Sequence, residues 1–222
     1  MNVSDAVASR RSIRAFLDTP VEEAVLRRVL EQAQMAPSGC NFQPWQATVL
    51  AGEPLRRLQE KMLASQPQDP IEYDFSAPQQ SSEHRGRLKA LGAAMYGSMN
   101  VGREDTDMRA TLSRGNLTSF GAPALLVCYF ERFMGPPQWA DVGMWLQSIM
   151  LLLRGEGLDS CPQEWMALYA RLIKAEIGVS DESHILFCGL AIGYRDPDAP
   201  VNNFARSRVP LDQAVRFHGF EQ

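Results

Sequence analysis

The stretch from Gln138 to Arg154 constrains the fold most, because apolar side chains cover almost every side of the helix that it predicts. One apolar stripe recurs at helical spacing, and other large apolar residues fall outside it. The stripe and the residues beside it are Trp139, Val142, Leu146, Ile149, Met150 and Leu153, then Trp145, Leu151 and Leu152. A helix with so little polar surface must be buried on more than one side. We expect it to be a central core helix or part of a dimer interface.

Two continuous apolar runs, 123–130 and 185–194, predict long buried strands, and 46–51 predicts a third strand. Helical patterns cover 21–35, 53–64, 84–100, 104–120 and 165–177, and a short helix with Ser4 as its N-cap is predicted over 2–10. Helices and strands alternate irregularly along the chain. This order predicts the α+β class, with helices around one mostly antiparallel or mixed sheet.

We expect residues 1–222 to form a single domain, without internal repeats. Prolines and polar residues dominate 66–80, and the helical periodicity that follows is weak. We therefore interpret about 66–118 as a mobile excursion from the domain. The segment from about 195 to 222 begins with Pro and Asn residues and is predicted to be an extended tail.

Composition excludes some classes of protein. The formal net charge of −4 gives no overall basic field for nucleic acid, and no apolar run is long enough to span a bilayer. Cys40, Cys128, Cys161 and Cys188 show no C-x-x-C spacing, which favours a reducing compartment. With neither a signal peptide nor a transit peptide recognisable, we expect a soluble, cytoplasmic protein.

Several common catalytic motifs do not occur in the sequence. There is no G-x-G-x-x-G after a strand, no P-loop and no G-x-S-x-G. The histidines, His84, His184 and His218, are far apart and lack a metal-binding spacing, so no metal centre is expected. An enzyme with this sequence would therefore need a cofactor to carry the difficult chemistry.

Two arginine clusters lie near opposite ends of the chain, at Arg10 to Arg14 and at Arg206 to Arg208. Arginine presents a planar fork of hydrogen-bond donors that suits phosphate. If the two clusters meet in the fold, they form a phosphate site. The alternative is a solvated basic patch at a helix end.

The loop Ala36-Pro37-Ser38-Gly39-Cys40-Asn41-Phe42-Gln43-Pro44-Trp45 combines rigid prolines, hydrogen-bonding side chains and two aromatic residues. A rigid, polar loop of this kind is typical of a binding site. An ordinary helix-to-strand connection also favours Pro, Ser, Gly and Asn, so the loop alone does not decide between the two.

Four motifs in order resemble the FMN-dependent nitroreductase family over essentially the whole chain. They are Arg-Arg-Ser-Ile-Arg-Ala-Phe at 10–16, the loop at 36–45, Cys-Pro-Gln-Glu at 161–164 and Arg-Ser-Arg at 206–208. Phe120-Gly121-Ala122-Pro123 before a strand also fits. The resemblance implies a nitroreductase-like fold and an intertwined homodimer with FMN at the interface.

The resemblance also implies roles for individual residues. Arg10, Arg206 and Arg208 would hold the FMN phosphate with Ser12 nearby, and Arg14 would lie at the N1/O2 edge of the flavin, where its charge stabilises the reduced ring. The full set expected to bind the cofactor is Arg10, Arg11, Ser12, Arg14, Pro37, Ser38, Asn41, Gln43, Pro162, Gln163, Glu164, Arg206 and Arg208. Pro37 and Ser38 are expected to reach the flavin from the partner subunit.

The activity implied is ping-pong transfer from NADH or NADPH, through FMN, to nitroaromatic compounds, by way of nitroso to hydroxylamine products. No catalytic side chain is expected, because the flavin N5 carries the hydride. Carboxylated acceptors such as nitrobenzoates are included, since Arg103 or Arg109 could pair with a carboxylate. The alternatives are a quinone or enoate reductase with the same flavin, and a non-catalytic flavin-binding protein.

Two positions need separate comment. Trp165 stands where many relatives have a small residue, so the backbone that faces the flavin is expected to pack differently here. Asn116 is the candidate contact within the excursion.

Overall fold

A computed structural model describes residues 1–75 and 78–220. The α-helices are α1 (Val3–Ser9), α2 (Glu23–Ala33), α3 (Gly52–Ala64), α4 (Ser82–Ser98), α5 (Thr106–Arg114), α6 (Pro136–Gly155), α7 (Ala170–Glu176) and α8 (Leu211–Ala214). The strands are β1 (Gln46–Ala51), β2 (Ala124–Glu131), β3 (Asp159–Gln163) and β4 (His184–Gly193). Ser76 and Ala77 of the predicted excursion, and Glu221 and Gln222 of the predicted tail, lie outside the described residues.

The strands form one sheet in the order β1-β2-β4-β3, and every neighbouring pair is antiparallel. Two single bridges extend it: Ser12 pairs in parallel with Ser160, and Phe16 pairs with Arg195. A mixed α and β fold around a mostly antiparallel sheet was predicted, and that prediction is confirmed.

The two faces of the sheet support separate parts of the core. Leu126 and Phe130 of β2 pack in the cluster that contains α2 and α6, whereas Leu125 and Val127 pack in the cluster that contains α3 and α7. All four side chains are fully buried, and each contributes roughly 1.5–3 kcal/mol to folding by leaving water. Burial on both faces explains why β2 and β4 are continuous apolar runs rather than alternating ones.

Helix α6 lies in the core, as its apolar surface predicts. Trp145, Ile149 and Leu153 are buried against the sheet and α2. One side of the helix remains open in the single chain, where Met144 is 40% exposed. The dimer interface expected on this helix stays a prediction.

The local features that differ from the sequence predictions include the cap of α1 and the segment 159–163. The cap of α1 is Asn2, whose side-chain oxygen accepts a hydrogen bond from the Asp5 N–H at 2.9 Å, and not Ser4. Residues 159–163 form β3, which the sequence did not indicate because the segment is short and contains Pro162. As β3 is an edge strand, a proline can be accommodated in it.

The first part of the predicted extended tail is packed against the domain. Asp159, 2% exposed, accepts two hydrogen bonds from Arg195 at 2.7 and 2.6 Å and pairs with Arg154 at 3.0 Å. Asn202 and Val201 are also buried. These contacts hold 195–202 beside the segment that follows α1.

Helices α4 and α5 lie within the predicted excursion, and neither contains a fully buried residue. This loose packing explains their weak apolar periodicity. None of the helices that the structure describes is long and apolar enough to cross a membrane. All four cysteines are free thiols, and burial raises the pKa of Cys161 to about 11.

Candidate active site

The two arginine clusters meet in one groove, which we call the basic groove. The residues that line it are Arg10, Arg11, Ser12, Arg14, Leu91, Val201, Asn202, Phe204, Arg206 and Arg208. The sequence prediction that the N-terminal cluster and the C-terminal cluster converge is thereby confirmed. The role of these residues in binding a cofactor remains a prediction.

Backbone contacts fix the N-terminal side of the groove. The Ile13 N–H donates to the Ser160 carbonyl of β3 at 3.1 Å, and the Ile13 side chain is fully buried. Because successive side chains of an extended segment point to opposite sides, burying Ile13 turns Ser12 and Arg14 away from the core. The sequence between α1 and α2 therefore presents its polar residues to the groove.

Hydrogen bonds across the groove join its two sides. Arg11 Nη1 donates to the Phe204 carbonyl at 2.9 Å, and Arg206 Nη1 donates to the Arg10 carbonyl at 2.7 Å. Asn202 Oδ1 accepts from the Arg14 N–H at 2.9 Å. These contacts place the guanidinium groups before any ligand binds, which reduces the ordering cost of binding.

The groove concentrates positive charge. Burial, followed by the charges of Arg11, Arg10, Arg208 and Arg195, lowers the pKa of Arg206 to about 10. Burial and then the charge of Arg208 also lower the pKa of Arg10. No carboxylate lines this groove in the described chain. A dianionic phosphate would offset this repulsion and accept the available N–H groups, so the donor set fits a phosphate ligand.

A second cavity, which we call the inner pocket, adjoins the basic groove. It is lined by Arg14, Met95, Tyr96, Met99, Leu112, Ser113, Asn116, Phe120 and Val201. Arg14 and Val201 line both cavities. The result is a phosphate-type site joined to a mostly apolar space by one arginine, which suits a flat ring system that carries a phosphate tail.

The end of β3 contacts the same region. Gln163 is 1% exposed, and its Nε2 donates to the Asn116 carbonyl at 2.8 Å. Its Oε1 is buried with no hydrogen-bond donor among the described residues. A buried acceptor without a donor is rare in native structures and marks a place for a ligand or water. Pro162 and Glu164, on either side of it, are exposed.

The loop at 36–45 lies outside both cavities of the single chain. Its Gly39 N–H donates to the buried carboxylate of Asp141 on α6, at 3.2 Å from each oxygen. Ser38 Oγ accepts from the Gln43 N–H at 3.0 Å. Pro37, Asn41 and Gln43 are exposed. The structure therefore does not bring these residues to the basic groove, and their contact with a cofactor stays a prediction.

The sequence did not indicate which residues of α4 contribute to the site. Met95 and Met99 of the inner pocket are separated by four positions, a spacing that places them on one face of a helix. That spacing was the available signal, but α4 has no strong apolar stripe from which to orient it.

Two other positions were singled out in the sequence. Asn116, the candidate contact within the excursion, lines the inner pocket. Trp165 is 44% exposed.

Among residues 1–75 and 78–220, no group of three or more His, Cys, Asp or Glu side chains could hold a metal ion.

Comparisons with known proteins identify the family of this chain. The model of the family described as "Nitroreductase family" matches residues 7–194. A 4-nitrobenzoate reductase of Pseudomonas putida is 34% identical over 218 residues, which are 97% of this chain and 95% of that protein. A nitroreductase, NfnB, of Mycolicibacterium smegmatis is 31% identical over 95% of this chain and 90% of that protein.

Solved structures are similar over the full length. The FMN and NADPH-dependent nitroreductase NfnB from Sphigopyxis sp. strain HMH has a TM-score of 0.94 and 45% identity, and the match covers 99% of this chain and 100% of that one. The FMN-dependent nitroreductase NfnB from Mycobacterium smegmatis, solved with NADPH, has a TM-score of 0.89 and 28% identity over 97% of each chain. This chain belongs to the nitroreductase family.

Proposed function

We propose that this protein is an FMN-dependent oxidoreductase that uses NADPH or NADH to reduce nitroaromatic compounds by a ping-pong mechanism. The observation that carries the proposal is the continuity of the basic groove with the inner pocket through Arg14. The names of the relatives support the same activity, since they include nitrobenzoate and nitrobenzene reductases. The cytoplasm, where NADPH and NADH are available as donors, is the compartment that we propose for this protein.

The residues present fit FMN. Arg10, Arg206 and Arg208 supply N–H donors for the phosphate, and Ser12 supplies a hydroxyl beside them. The unsatisfied Oε1 of Gln163 can accept a hydrogen bond from a ligand with N–H or O–H groups, such as a flavin. Pro162 and Glu164 flank that contact in the proposed site, and Arg11 holds the chain that carries Phe204.

When bound, FMN supplies the hydride and electron transfer between nicotinamide and acceptor. Arg14, shared by the two cavities, stabilises negative charge that develops at the adjoining edge of the ring. Met95, Met99 and Phe120 exclude water from the inner pocket and hold a flat ring there. The protons of the reaction come from solvent, and no side chain acts as a nucleophile.

We also propose a homodimer in which the loop at 36–45 completes the partner's site. Pro37, Ser38, Asn41 and Gln43 would then approach the cofactor across the interface. The open surfaces that support this include Val7 on α1, Phe42 in the loop and Met144 on α6, with exposed fractions of 55%, 59% and 40%. Sedimentation or light scattering tests it: a dimer is expected, and a monomer that binds flavin fully would contradict it.

An anaerobic spectral titration tests the activity. NADPH or NADH should bleach the bound flavin of the purified protein, and addition of a nitroaromatic compound should restore the oxidised spectrum. Restoration after the donor has been removed would establish the ping-pong order. Flavin that stays oxidised with both donors would contradict the proposal.

A further inference from the structure

Arg109 of α5 stacks on Tyr96 of α4. Its guanidinium carbon is 3.7 Å from the centre of the Tyr96 ring, a cation–π contact that fixes the cation in place. Arg109 Nη1 also donates to the Gly102 carbonyl at 3.4 Å. The guanidinium is thus positioned by two contacts, neither of which neutralises its charge.

Tyr96 lines two cavities. One is the inner pocket, and the other is an open cavity that we call the outer groove. The outer groove contains three cationic residues, Lys89, Arg103 and Arg109, and no carboxylate lines it within the described chain. Arg109 lines the outer groove and not the inner pocket, and it contacts Tyr96, which lines both.

Glu104 and Asp105 bring carboxylates close to Gly102 in this groove, but neither forms an ion pair with Arg109. Asp105 Oδ2 accepts a hydrogen bond from the Gly102 N–H at 2.6 Å, and no ion pair in the described residues includes Lys89, Arg103 or Arg109. A positioned guanidinium without a carboxylate partner favours an anionic ligand.

We propose that Arg109 is the residue that selects acceptors with a carboxylate, so that the preferred substrates are nitrobenzoates. This inference rests on the proposed function. The aromatic ring of the acceptor lies beside the flavin at Tyr96, its nitro group faces the Arg14 end, and its carboxylate meets Arg109. The ligand class is a benzoate with a reducible substituent far from its carboxylate.

Arg109 fits this role better than Arg103. Arg109 is half-buried and held against a pocket wall, whereas Arg103 is exposed. A fixed guanidinium loses less conformational entropy when it binds a carboxylate than a freely moving one does.

The other anion that could meet Arg109 is the 2′-phosphate of NADPH. Two riboses and a diphosphate separate that phosphate from the nicotinamide, which itself must lie over the flavin. The contact of Arg109 with Tyr96, a residue of the inner pocket, instead suits a group attached to the reacting ring. The two half-reactions of a ping-pong enzyme distinguish these ligands.

The test compares 4-nitrobenzoate with the neutral 4-nitrobenzamide in the holoenzyme. Arg109→Gln should lower kcat/KM for 4-nitrobenzoate by about tenfold or more, as expected for loss of a hydrogen bond to a charged group, and should change kcat/KM for the amide less than about twofold. Arg109→Lys should recover part of the loss. Arg114→Gln is the matched control, because Arg114 lies on the same helix, is exposed and lines neither cavity.

Binding of benzoate, which cannot be reduced, gives a readout besides activity. Calorimetry should show weaker benzoate binding to Arg109→Gln than to Arg114→Gln. Equal losses for the acid and the amide, or unchanged benzoate binding, would overturn the assignment. A loss confined to flavin reduction by NADPH and absent with NADH would assign Arg109 to the donor phosphate instead. If the protein reduced neither nitro compound, the proposed function would fail, while benzoate binding would still decide whether Arg109 recognises a carboxylate.

Discussion

The side-chain oxygen of Asn202 accepts a hydrogen bond from the backbone N–H of Arg14 at 2.9 Å, across a sequence separation of 188 residues. The same side chain donates to the carbonyls of Ala15 at 2.8 Å and Asp196 at 2.9 Å. Asn202 is 2% exposed, so water does not compete for these bonds. This one amide links the segment after β4 to the strand-like segment that carries the arginines of the basic groove.

Asn202→Ala should destabilise the protein and weaken FMN binding together. Truncation leaves the Arg14 N–H and two carbonyls without their partners, which costs about 2 kcal/mol of unfolding free energy. Urea unfolding and a flavin titration measure the two effects. Asn203→Ala is the control, since the side chain of the exposed Asn203 donates to the carbonyls of Pro197 and Ala199 in its own turn. Equal losses of stability and of FMN affinity in the two variants would show that Asn202 does not link the two segments.

Arg208→Ala should weaken FMN binding by about tenfold to a hundredfold, the range expected for one charge-assisted hydrogen bond. Equilibrium dialysis or flavin fluorescence measures the change. Arg216→Ala is the control, because Arg216 is an exposed arginine of the same tail that does not line the basic groove. An unchanged dissociation constant for Arg208→Ala would remove this residue from the phosphate site.

Lys174→Met should reduce the free energy of unfolding by about 3 kcal/mol, because it leaves the carboxylate of Glu72 buried with less positive charge. Lys174 is fully buried and donates to Glu72 at 2.7 Å, to Asp181 at 2.6 Å and to the His184 carbonyl at 2.9 Å. Lys61→Met, which removes a half-exposed partner of Glu176, should cost less than about 1 kcal/mol. Equal effects in chemical denaturation would contradict this account.

Asp181→Asn should show a pH-dependent loss of stability. The hydrogen bond from Lys174 is the main cause that lowers the pKa of Asp181 below its ordinary 3.8. The folded state therefore holds the ionised form more strongly than the unfolded state does, and the stabilisation is complete above about pH 4 and lost as pH falls through the lowered pKa. Asp181 is half-exposed, so the effect should stay below about 1 kcal/mol.

Unfolding of wild type and Asp181→Asn at pH 7 and pH 3 checks this prediction. The difference in stability should shrink at pH 3. Glu182→Gln, at an exposed neighbouring residue, should show no such dependence. A difference that grows on acidification would have the wrong sign for this account.

The buried parts of the fold could be predicted from the sequence, because their apolar patterns are long. The bounds of β1 were predicted without error, and those of β2 and β4 within one residue. The edge strand β3 was missed because Asp159 and Pro162 are untypical of strands. Asp159 is stabilised there by ion pairs with Arg154 and Arg195, and Arg195 comes close to Asp159 only in the folded chain.

The candidate site likewise contains residues that could be predicted from the sequence and residues that could not. The arginines at 10–14 and 206–208 could be named from their chemistry, and the fold brings them together. Tyr96 could not be assigned, because α4 has no buried stripe to fix its orientation and the wall that Tyr96 forms depends on α5. The residues that contact Arg109 could not be predicted either, because tertiary packing brings them together.

The most direct test of the central claim compares FMN with riboflavin, which lacks the phosphate. Both dissociation constants are measured by fluorescence for apoprotein prepared from the wild-type chain. If the basic groove is the phosphate site, FMN should bind about a hundredfold more tightly or better, since several charge-assisted hydrogen bonds depend on the phosphate. Equal affinity for the two flavins would contradict the assignment of the groove.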